Sequence, residues 1–557
     1  MMQLDSSAKA ISRLMGGLLI LTTIAVTPWM TIDPINLIKL VTLSTVACGI
    51  GAVLALNFRK HLFLYAREAS VLSLLFVSQL VLVFATSSSD KALQFFGTMG
   101  RNTGLLFYLA LIFVLLGAVV ISATAVFQKS IYLLTGVGLL SAVYGLIQYL
   151  GLDPINWANK YSPIIGFLGN PNFQSSLLGL STIGGLVILI DRSQNNAKRI
   201  LALLFIFGAL FIVVKSNSQQ GLLVFALGLA CLGFFKVITF KKPIYTYLYA
   251  AGSVFISLVS VFGFLNKGPL SSFLYQASVT YRGDYWRAGW NMALDNPLFG
   301  VGLDAYGDNY RSYRTIEATL RRGPDVVTNA AHNVFIDLAA NGGFILLAIY
   351  CCFVLLALKK IADYIRSAVR DVYFEGVIAV WVAFLAQSII SINQIGLAVW
   401  GWVITGLIIG WRKDVSEQDK SVSRKTSPKS ISTNSLDPKT LLTLMAGLTL
   451  GLVLSLPPLI SSANEKSAMA TTQLERILSA ERKWPRDPSR SNQIVRILVS
   501  NSLNEDALRI AKLSTIQFAD NFDSWKVLSQ IPNLSDQDRN EALKRMRELD
   551  PLNSTLK

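Results

Sequence analysis

Long runs of apolar residues alternate with short polar intervals along most of the chain. Most runs have about 16 to 24 residues, the length that an α-helix needs to cross the apolar core of a bilayer. The pattern predicts thirteen membrane-spanning helices, at residues 12–31, 35–57, 69–86, 104–125, 131–151, 172–190, 199–214, 221–236, 244–265, 333–358, 372–391, 395–411 and 440–461. The predicted fold class is therefore an all-α polytopic membrane protein.

The polar intervals divide the chain into domains. We predict a membrane-embedded core at 1–411 with one long loop at 266–331, a linker at 412–438, a further span at 439–462 and a helical domain at 463–557. The linker is rich in Lys, Ser, Asp and Gln, a composition typical of flexible segments.

In the last domain, Glu505–Ala519 and Asp536–Leu549 have apolar residues at helical spacing. The spacing loosely resembles tetratricopeptide helix pairs, and an ordinary small helical domain is the open alternative.

Composition supports a membrane location and changes how the charge is interpreted. Hydrophobic residues make up 52% of the chain and charged residues 15%, with a formal net charge of +17. In a soluble protein this charge would suggest a nucleic-acid partner, but here the basic residues gather in short loops between spans. We therefore expect the lipid bilayer as a partner and no nucleic acid.

The distribution of basic residues also predicts the topology. With a cytoplasmic amino terminus, the short outer loops contain only Lys91, Arg101, Lys160 and Lys215, whereas the inner loops contain most of the other basic residues. The positive-inside rule therefore predicts that loop 266–331 and the C-terminal domain lie outside the cytoplasm. The first apolar run is followed at once by another, which indicates a span and not a cleavable signal.

The long outer loop contains the candidate chemistry. It includes Arg282, Arg321 and Arg322 and ends beside His332, one of only two histidines. A bond made outside the cytoplasm has no access to ATP, so the donor must arrive activated, for example as a lipid diphosphate. Arginine binds two phosphate oxygens at once, and histidine is suited to accept a proton from an acceptor hydroxyl.

Each candidate also has a simpler interpretation. Arg282 could be solvated or paired with Asp284, and His332 could be an interfacial residue that precedes a helix. Trp286 could be an interfacial aromatic residue. The four cysteines fall inside predicted spans without metal-ligand spacing, so neither a metal site nor a disulfide framework is expected.

The order of the motifs resembles the O-antigen ligase superfamily, which includes O-antigen polymerases and bacterial protein O-oligosaccharyltransferases. The resemblance covers roughly residues 80–412. It is carried by Gly169-Asn170-Pro171-Asn172, Arg282, Trp286, Asn296-Pro297-Leu298-Phe299-Gly300-Val301-Gly302, His332-Asn333 and Gly342-Gly343. One position departs from the pattern, because many members have Ser-Arg-Gly where this chain has Ser218-Gln219-Gln220-Gly221.

The resemblance implies a glycosyltransferase C-type fold in the bacterial cytoplasmic membrane and metal-independent transfer without a cofactor. The donor would be a polyprenyl-diphosphate-linked glycan and the acceptor a hydroxyl of a glycan, lipid or protein. By resemblance His332 is the base and Arg282 binds the diphosphate. The other expected substrate-binding residues are Arg101, Lys215, Gln220, Arg321, Arg322, Asn170, Asn172, Asn333 and Trp286.

Two other functions stay open at this point. A transporter of lipid-linked glycans would also need many spans, but it predicts charged residues within them. A non-catalytic membrane scaffold could bind a protein partner through residues 463–557.

Overall fold

The computed structural model describes residues 6–157, 159, 162–367, 369–413, 436–471 and 473–556. This part of the chain consists of helices and their connections and contains no strand. The prediction of an all-α membrane protein is therefore confirmed.

Ten helices precede the long outer loop. They are α1 (Ser6–Ile24), α2 (Asn36–Leu56), α3 (Arg67–Thr86), α4 (Lys91–Phe96), α5 (Leu105–Ile121), α6 (Thr124–Tyr149), α7 (Pro171–Ile190), α8 (Asn196–Lys215), α9 (Gln220–Ile238) and α10 (Pro243–Phe264). The loop itself contains α11 (Ser271–Leu274), α12 (Ala277–Asp295), α13 (Tyr306–Tyr313) and α14 (Ile316–Arg322). The core then ends with α15 (Val334–Arg366), α16 (Val372–Ile389) and α17 (Ile395–Ile409).

Eleven of the described helices are long and apolar enough to cross a membrane. Two further apolar helices, α5 and α17, have 17 and 15 residues and are shorter than that. Both pack against each other in the centre of the bundle, where nearly all of their side chains are buried. Every predicted span overlaps one of these helices, but the count of thirteen stays a prediction.

The first predicted span, 12–31, is displaced from the helix that forms. α1 ends at Ile24, and the chain then turns, with the Thr27 amide bonded to the Pro34 carbonyl oxygen at 2.7 Å. Trp29 and Met30 extend the apolar run in the sequence, yet both are exposed in this turn. Hydrophobicity alone therefore placed the end of the helix too late.

The helix after the linker, α18 (Pro438–Met469), packs along α2. A Cβ added to Gly451 would lie 2.4 Å from the Ser44 carbonyl oxygen, so a small residue lets the two backbones approach closely. The predicted boundary at 462 falls inside this helix. Most of the predicted linker, from 414 to 435, lies outside the described residues.

The C-terminal residues form a separate helical core. It contains α19 (Leu474–Glu481), α20 (Pro488–Ser500), α21 (Asn504–Gln517), α22 (Phe522–Ser529) and α23 (Asp536–Leu549). The two helices predicted from periodicity correspond to α21 and α23. The likeness to tetratricopeptide pairs stays a prediction.

Candidate active site

A break in α15 shapes the wall of the site. Gly343, nine residues after the start of the helix, has a φ of 77° and a ψ of 174°, outside the helical region. A Cβ there would lie 2.5 Å from the backbone of Leu298, and one on Gly300 would lie 2.4 Å from the Ala340 carbonyl oxygen. The turn 296–302 therefore packs directly on the break, at positions where only glycine fits.

His332 lies two residues before α15, with a left-handed φ of 54°. Few residues other than glycine adopt this conformation, and those that do are frequent at functional sites. The Asn333 side-chain oxygen caps α15 by accepting hydrogen bonds from the backbone amides of Phe335 at 3.0 Å and Ile336 at 3.2 Å. The Asp337 carboxylate accepts a hydrogen bond from the Ala331 amide at 2.8 Å. The first turn of α15 therefore holds the backbone on both sides of His332.

Two aromatic residues of α12 lie against His332. The ring of Tyr285 lies 5.4 Å from the imidazole, centroid to centroid. The indole nitrogen of Trp286 donates to the His332 carbonyl oxygen at 3.5 Å. Trp286 thus contacts the backbone of the predicted base, and Tyr285, which the sequence did not single out, contacts its ring.

The surroundings of His332 keep its imidazole neutral. Burial lowers the pKa of His332 to about 4, and the positive charges of Arg282, Arg101 and Arg322 act in the same direction. A neutral imidazole has a free lone pair and can accept a proton. The arrangement therefore suits a base at neutral pH whose conjugate acid is strongly disfavoured.

Arg282 is the least neutralised cation near this histidine. Its Nε atom is buried and has no hydrogen-bond partner in the described residues. Asp284, the expected alternative partner, forms its ion pair with Arg321 instead. Burial lowers the pKa of Arg282, as expected for a cation with little compensation. An anion placed beside this guanidinium would be stabilised.

Arg321 and Arg322, the other two loop arginines predicted to bind substrate, contact side chains of α12. Arg322 lies over the Tyr281 ring at 4.3 Å, and it donates a hydrogen bond to the Tyr285 hydroxyl. Arg321 is partly exposed and is held by Asp284. The structure therefore places Arg282 and Arg322 near Tyr285 and His332, and Arg321 on the neighbouring residue Asp284.

Arg101 also lies near His332, but its charge is already balanced. Its guanidinium forms ion pairs with Asp304 at 3.0 Å and with Asp337 at 3.5 Å. It also donates to the Asn329 carbonyl oxygen. Burial lowers the pKa of Arg101, and the two carboxylates more than offset this, so that the pKa is raised overall. Arg101 therefore ties the 97–104 turn to the segment before His332.

Three of the other predicted residues, Asn170, Asn172 and Gln220, lie in a second polar cluster at the start of α7 and α9. Asn170 caps α7, and Asn172 accepts a hydrogen bond from Ser218 at 2.8 Å. Gln220 accepts one from Ser176 at 3.2 Å. Lys215, the fourth, lies over the Tyr149 ring at 5.5 Å. No hydrogen bond or ion pair in the described residues links these side chains to the His332 group.

The described residues contain no group of three or more His, Cys, Asp or Glu side chains that could hold a metal ion. Metal independence itself stays a prediction. The pair Asp304 and Arg101 was missed by sequence reasoning, because the two residues are far apart in the chain and share no local motif.

Comparison with known proteins gives one family. A family model described as O-antigen ligase matches residues 203–351, a range that includes the outer loop and His332 but not Arg101 or the Asn170 turn. No curated protein and no solved structure matches the chain. The match at residues 203–351 therefore confirms the resemblance and supports the O-antigen ligase superfamily.

Proposed function

We propose that the chain transfers a glycan from a polyprenyl-diphosphate carrier to an acceptor hydroxyl outside the cytoplasm, as a ligase or polymerase. The observation that carries this proposal is that a neutral His332 lies close enough to Arg282 to be affected by its charge, and that the buried Nε atom of Arg282 has no hydrogen-bond partner in the described residues. Both residues lie inside the matched domain. One residue accepts a proton, and the other is available to an anionic leaving group.

In the proposed reaction, His332 removes the proton from the acceptor hydroxyl. The hydroxyl oxygen forms a bond with the anomeric carbon of the donor glycan, and the bond from that carbon to the diphosphate oxygen breaks. The diphosphate leaves with the electron pair, and Arg282 stabilises the developing charge. Arg322 lies close enough to the same aromatic residues to assist it.

The second polar cluster has a place in this proposal as well. The side chains of Asn172 and Gln220 are hydrogen-bonded at the ends of α7 and α9, on the predicted outer side. Amides of this kind bind sugar hydroxyls, so we assign the cluster to a glycan and not to the diphosphate. Arg101 and Asn333 act on the His332 backbone, as structural supports of the base.

The proposal also includes a glycosyltransferase C-type core and catalysis without a metal. Arginines replace the metal in holding a diphosphate, since their planar forks bind two oxygens. Transfer by purified protein should therefore continue in excess chelator. Loss of transfer in chelator, with recovery on adding magnesium or manganese, would contradict this part of the proposal.

The function as a whole is tested on the cell surface. Glycans from cells with the protein, without it, and with the His332→Ala variant are compared by mass spectrometry. We expect one glycan linkage or polymer to disappear in both altered cells. An unchanged glycan profile in both would favour a non-catalytic scaffold, and accumulation of the donor on the cytoplasmic side would favour a transporter.

A further inference from the structure

The C-terminal domain inserts one carboxylate between two arginines of the outer loop. The side chain of Asp550 is fully buried, and those of Arg314 and Arg311 are 1% and 7% exposed. Arg314 contacts both carboxylate oxygens, at 2.7 and 2.9 Å, and Arg311 contacts one of them at 3.0 Å. Asp550 thus lies between two buried positive charges, and Arg311 has a second, more distant carboxylate partner in Asp523 at 4.0 Å.

The same two arginines also hold the loop backbone. Arg311 and Arg314 each donate to the carbonyl oxygen of Pro324, both at 2.9 Å. In the sequence, α14 lies between Arg314 and Pro324, so these bonds close the base of the segment that α14 occupies. That segment contains Arg321, which pairs with Asp284, and Arg322, which donates to the Tyr285 hydroxyl.

The rest of the interface surrounds this central group. Ser312 donates to the Leu549 carbonyl oxygen at 2.9 Å, and Asn521 donates to Asp308 at 2.9 Å. The ion pair of Lys526 with Asp325, at 2.9 Å, is largely exposed. An exposed pair contributes little, whereas removing one partner of a buried group leaves uncompensated charge. Asp550 is therefore the residue on which the contact depends most.

We propose that Asp550 is a positioning residue, and that the C-terminal domain acts as a clamp on the outer loop. It holds α14 so that Arg322 stays beside Tyr285 and His332 and Arg321 stays paired with Asp284, where these cations receive the donor diphosphate. The inference rests on the proposed function for its catalytic consequence. The clamp itself is a structural relation that is measured without any transfer reaction.

The first measurement is amide hydrogen exchange of the full-length protein in detergent. In Asp550→Asn, which keeps the shape and removes the charge, exchange of residues 315–331 should rise by about tenfold or more, since local opening becomes easier. Asp536→Asn, an exposed carboxylate at the start of α23, is the matched control and should exchange like wild type in this segment. Unchanged exchange in Asp550→Asn would overturn the clamp.

The second measurement is transfer kinetics with a polyprenyl-diphosphate glycan. Displaced arginines weaken donor binding, so the donor KM should rise by about tenfold while kcat changes much less. Asp550→Glu keeps the charge and should recover most of the affinity. A loss in kcat alone, in proportion to the fraction of unfolded protein, would contradict positioning.

Arg314→Lys is a second test of the clamp, to be used if Asp550→Asn does not fold. It leaves the C-terminal domain untouched and keeps a cation for Asp550, but it cannot bind Asp550 and Pro324 at once as the guanidinium does. Exchange of 315–331 should again rise, and wild-type exchange would overturn the clamp. Should wild-type protein show no transfer, the proposed function fails, and the exchange data still decide the clamp.

Discussion

At the scale of single residues, the surroundings of His332 have two opposite effects on its action as a base. Its buried position and the nearby arginines keep the imidazole neutral, so it is always ready to accept a proton. The same environment makes the protonated form unfavourable. A donor diphosphate beside Arg282 would offset the positive charges and make His332 a stronger base once the substrate is bound. The site thus gains basicity when it is needed.

Replacing His332 with Ala separates this role from donor binding. Turnover should fall by about 100-fold or more, the usual scale for loss of a general base, while donor affinity changes little. Transfer from a polyprenyl-diphosphate glycan and separate measurement of donor binding provide the comparison. His61→Ala, on the opposite predicted face, should retain turnover once the amount of folded protein is normalised, since this histidine is buried. Full turnover in His332→Ala would show that His332 is not the base.

The pH dependence gives an independent check on the same residue. Because the pKa of His332 is lowered to about 4, kcat/KM, which depends on the free enzyme, should be lost only well below pH 6. The acid limb of kcat should lie at higher pH, since bound diphosphate raises the pKa. Both profiles are measured between pH 4 and 8 on folded protein. If the acid limbs of kcat and kcat/KM coincided near the ordinary pKa of histidine, the proposed effect of bound diphosphate on the pKa of His332 would be contradicted.

Arg282 should affect binding and turnover together. Arg282→Lys keeps a positive charge but loses the planar fork, so donor affinity and turnover should both fall. Arg282→Ala should be worse, because no cation remains for the leaving group. Arg287→Ala changes an exposed arginine on the same helix and serves as the control. Equal activity of Arg282→Ala and the control would exclude Arg282 from diphosphate binding.

At the scale of elements, the break in α15 joins two motifs that are 40 residues apart in the chain. Gly343→Ala adds a Cβ 2.5 Å from the backbone of Leu298 at a positive φ, whereas Gly100→Ala meets no atom within 4 Å at a similar φ. The shared backbone strain costs about 1–3 kcal/mol. Gly343→Ala should therefore lower the unfolding temperature in detergent further than Gly100→Ala. Equal shifts in the unfolding temperature would mean that the turn 296–302 moves away from the added methyl group at little cost.

Local patterns predicted the elements but not the pairs that connect them. Periodicity placed α21 and α23, and the motif order brought His332 and Arg282 into one site. In contrast, Arg101 pairs with Asp304 and Arg314 with Asp550, more than 200 residues away in each case. A charged residue in a loop looks the same whether it is solvated or buried against a distant partner. The contacts of Arg101 in the structure are internal, and its predicted role in substrate binding stays a prediction.

At the scale of the whole molecule, the contacts sort the loops into two ends. At one end, Asn36 bonds to Gly100 at 2.6 Å, and Gln517 of the C-terminal domain bonds to Asp90 at 3.1 Å. At the other, Lys359 pairs with Glu68 at 3.3 Å. Each of these contacts joins segments that the thirteen-span prediction places on the same side of the membrane. The contacts therefore agree with that arrangement, and the number of crossings stays a prediction.

The compartment that each end faces is the last prediction, and it follows from the basic residues. The end with few of them should face outward, so cysteines introduced at Ser271 and Ser535 should react with an impermeant thiol reagent on intact cells after any outer barrier is opened. Ser193→Cys, on the predicted inner side, should react only after lysis. The four native cysteines are replaced first, because Cys352 is exposed on the surface of α15. The reverse labelling pattern would mean that the protein has the opposite orientation in the membrane. It would place His332 and its arginines on the side where ATP and nucleotide sugars are available.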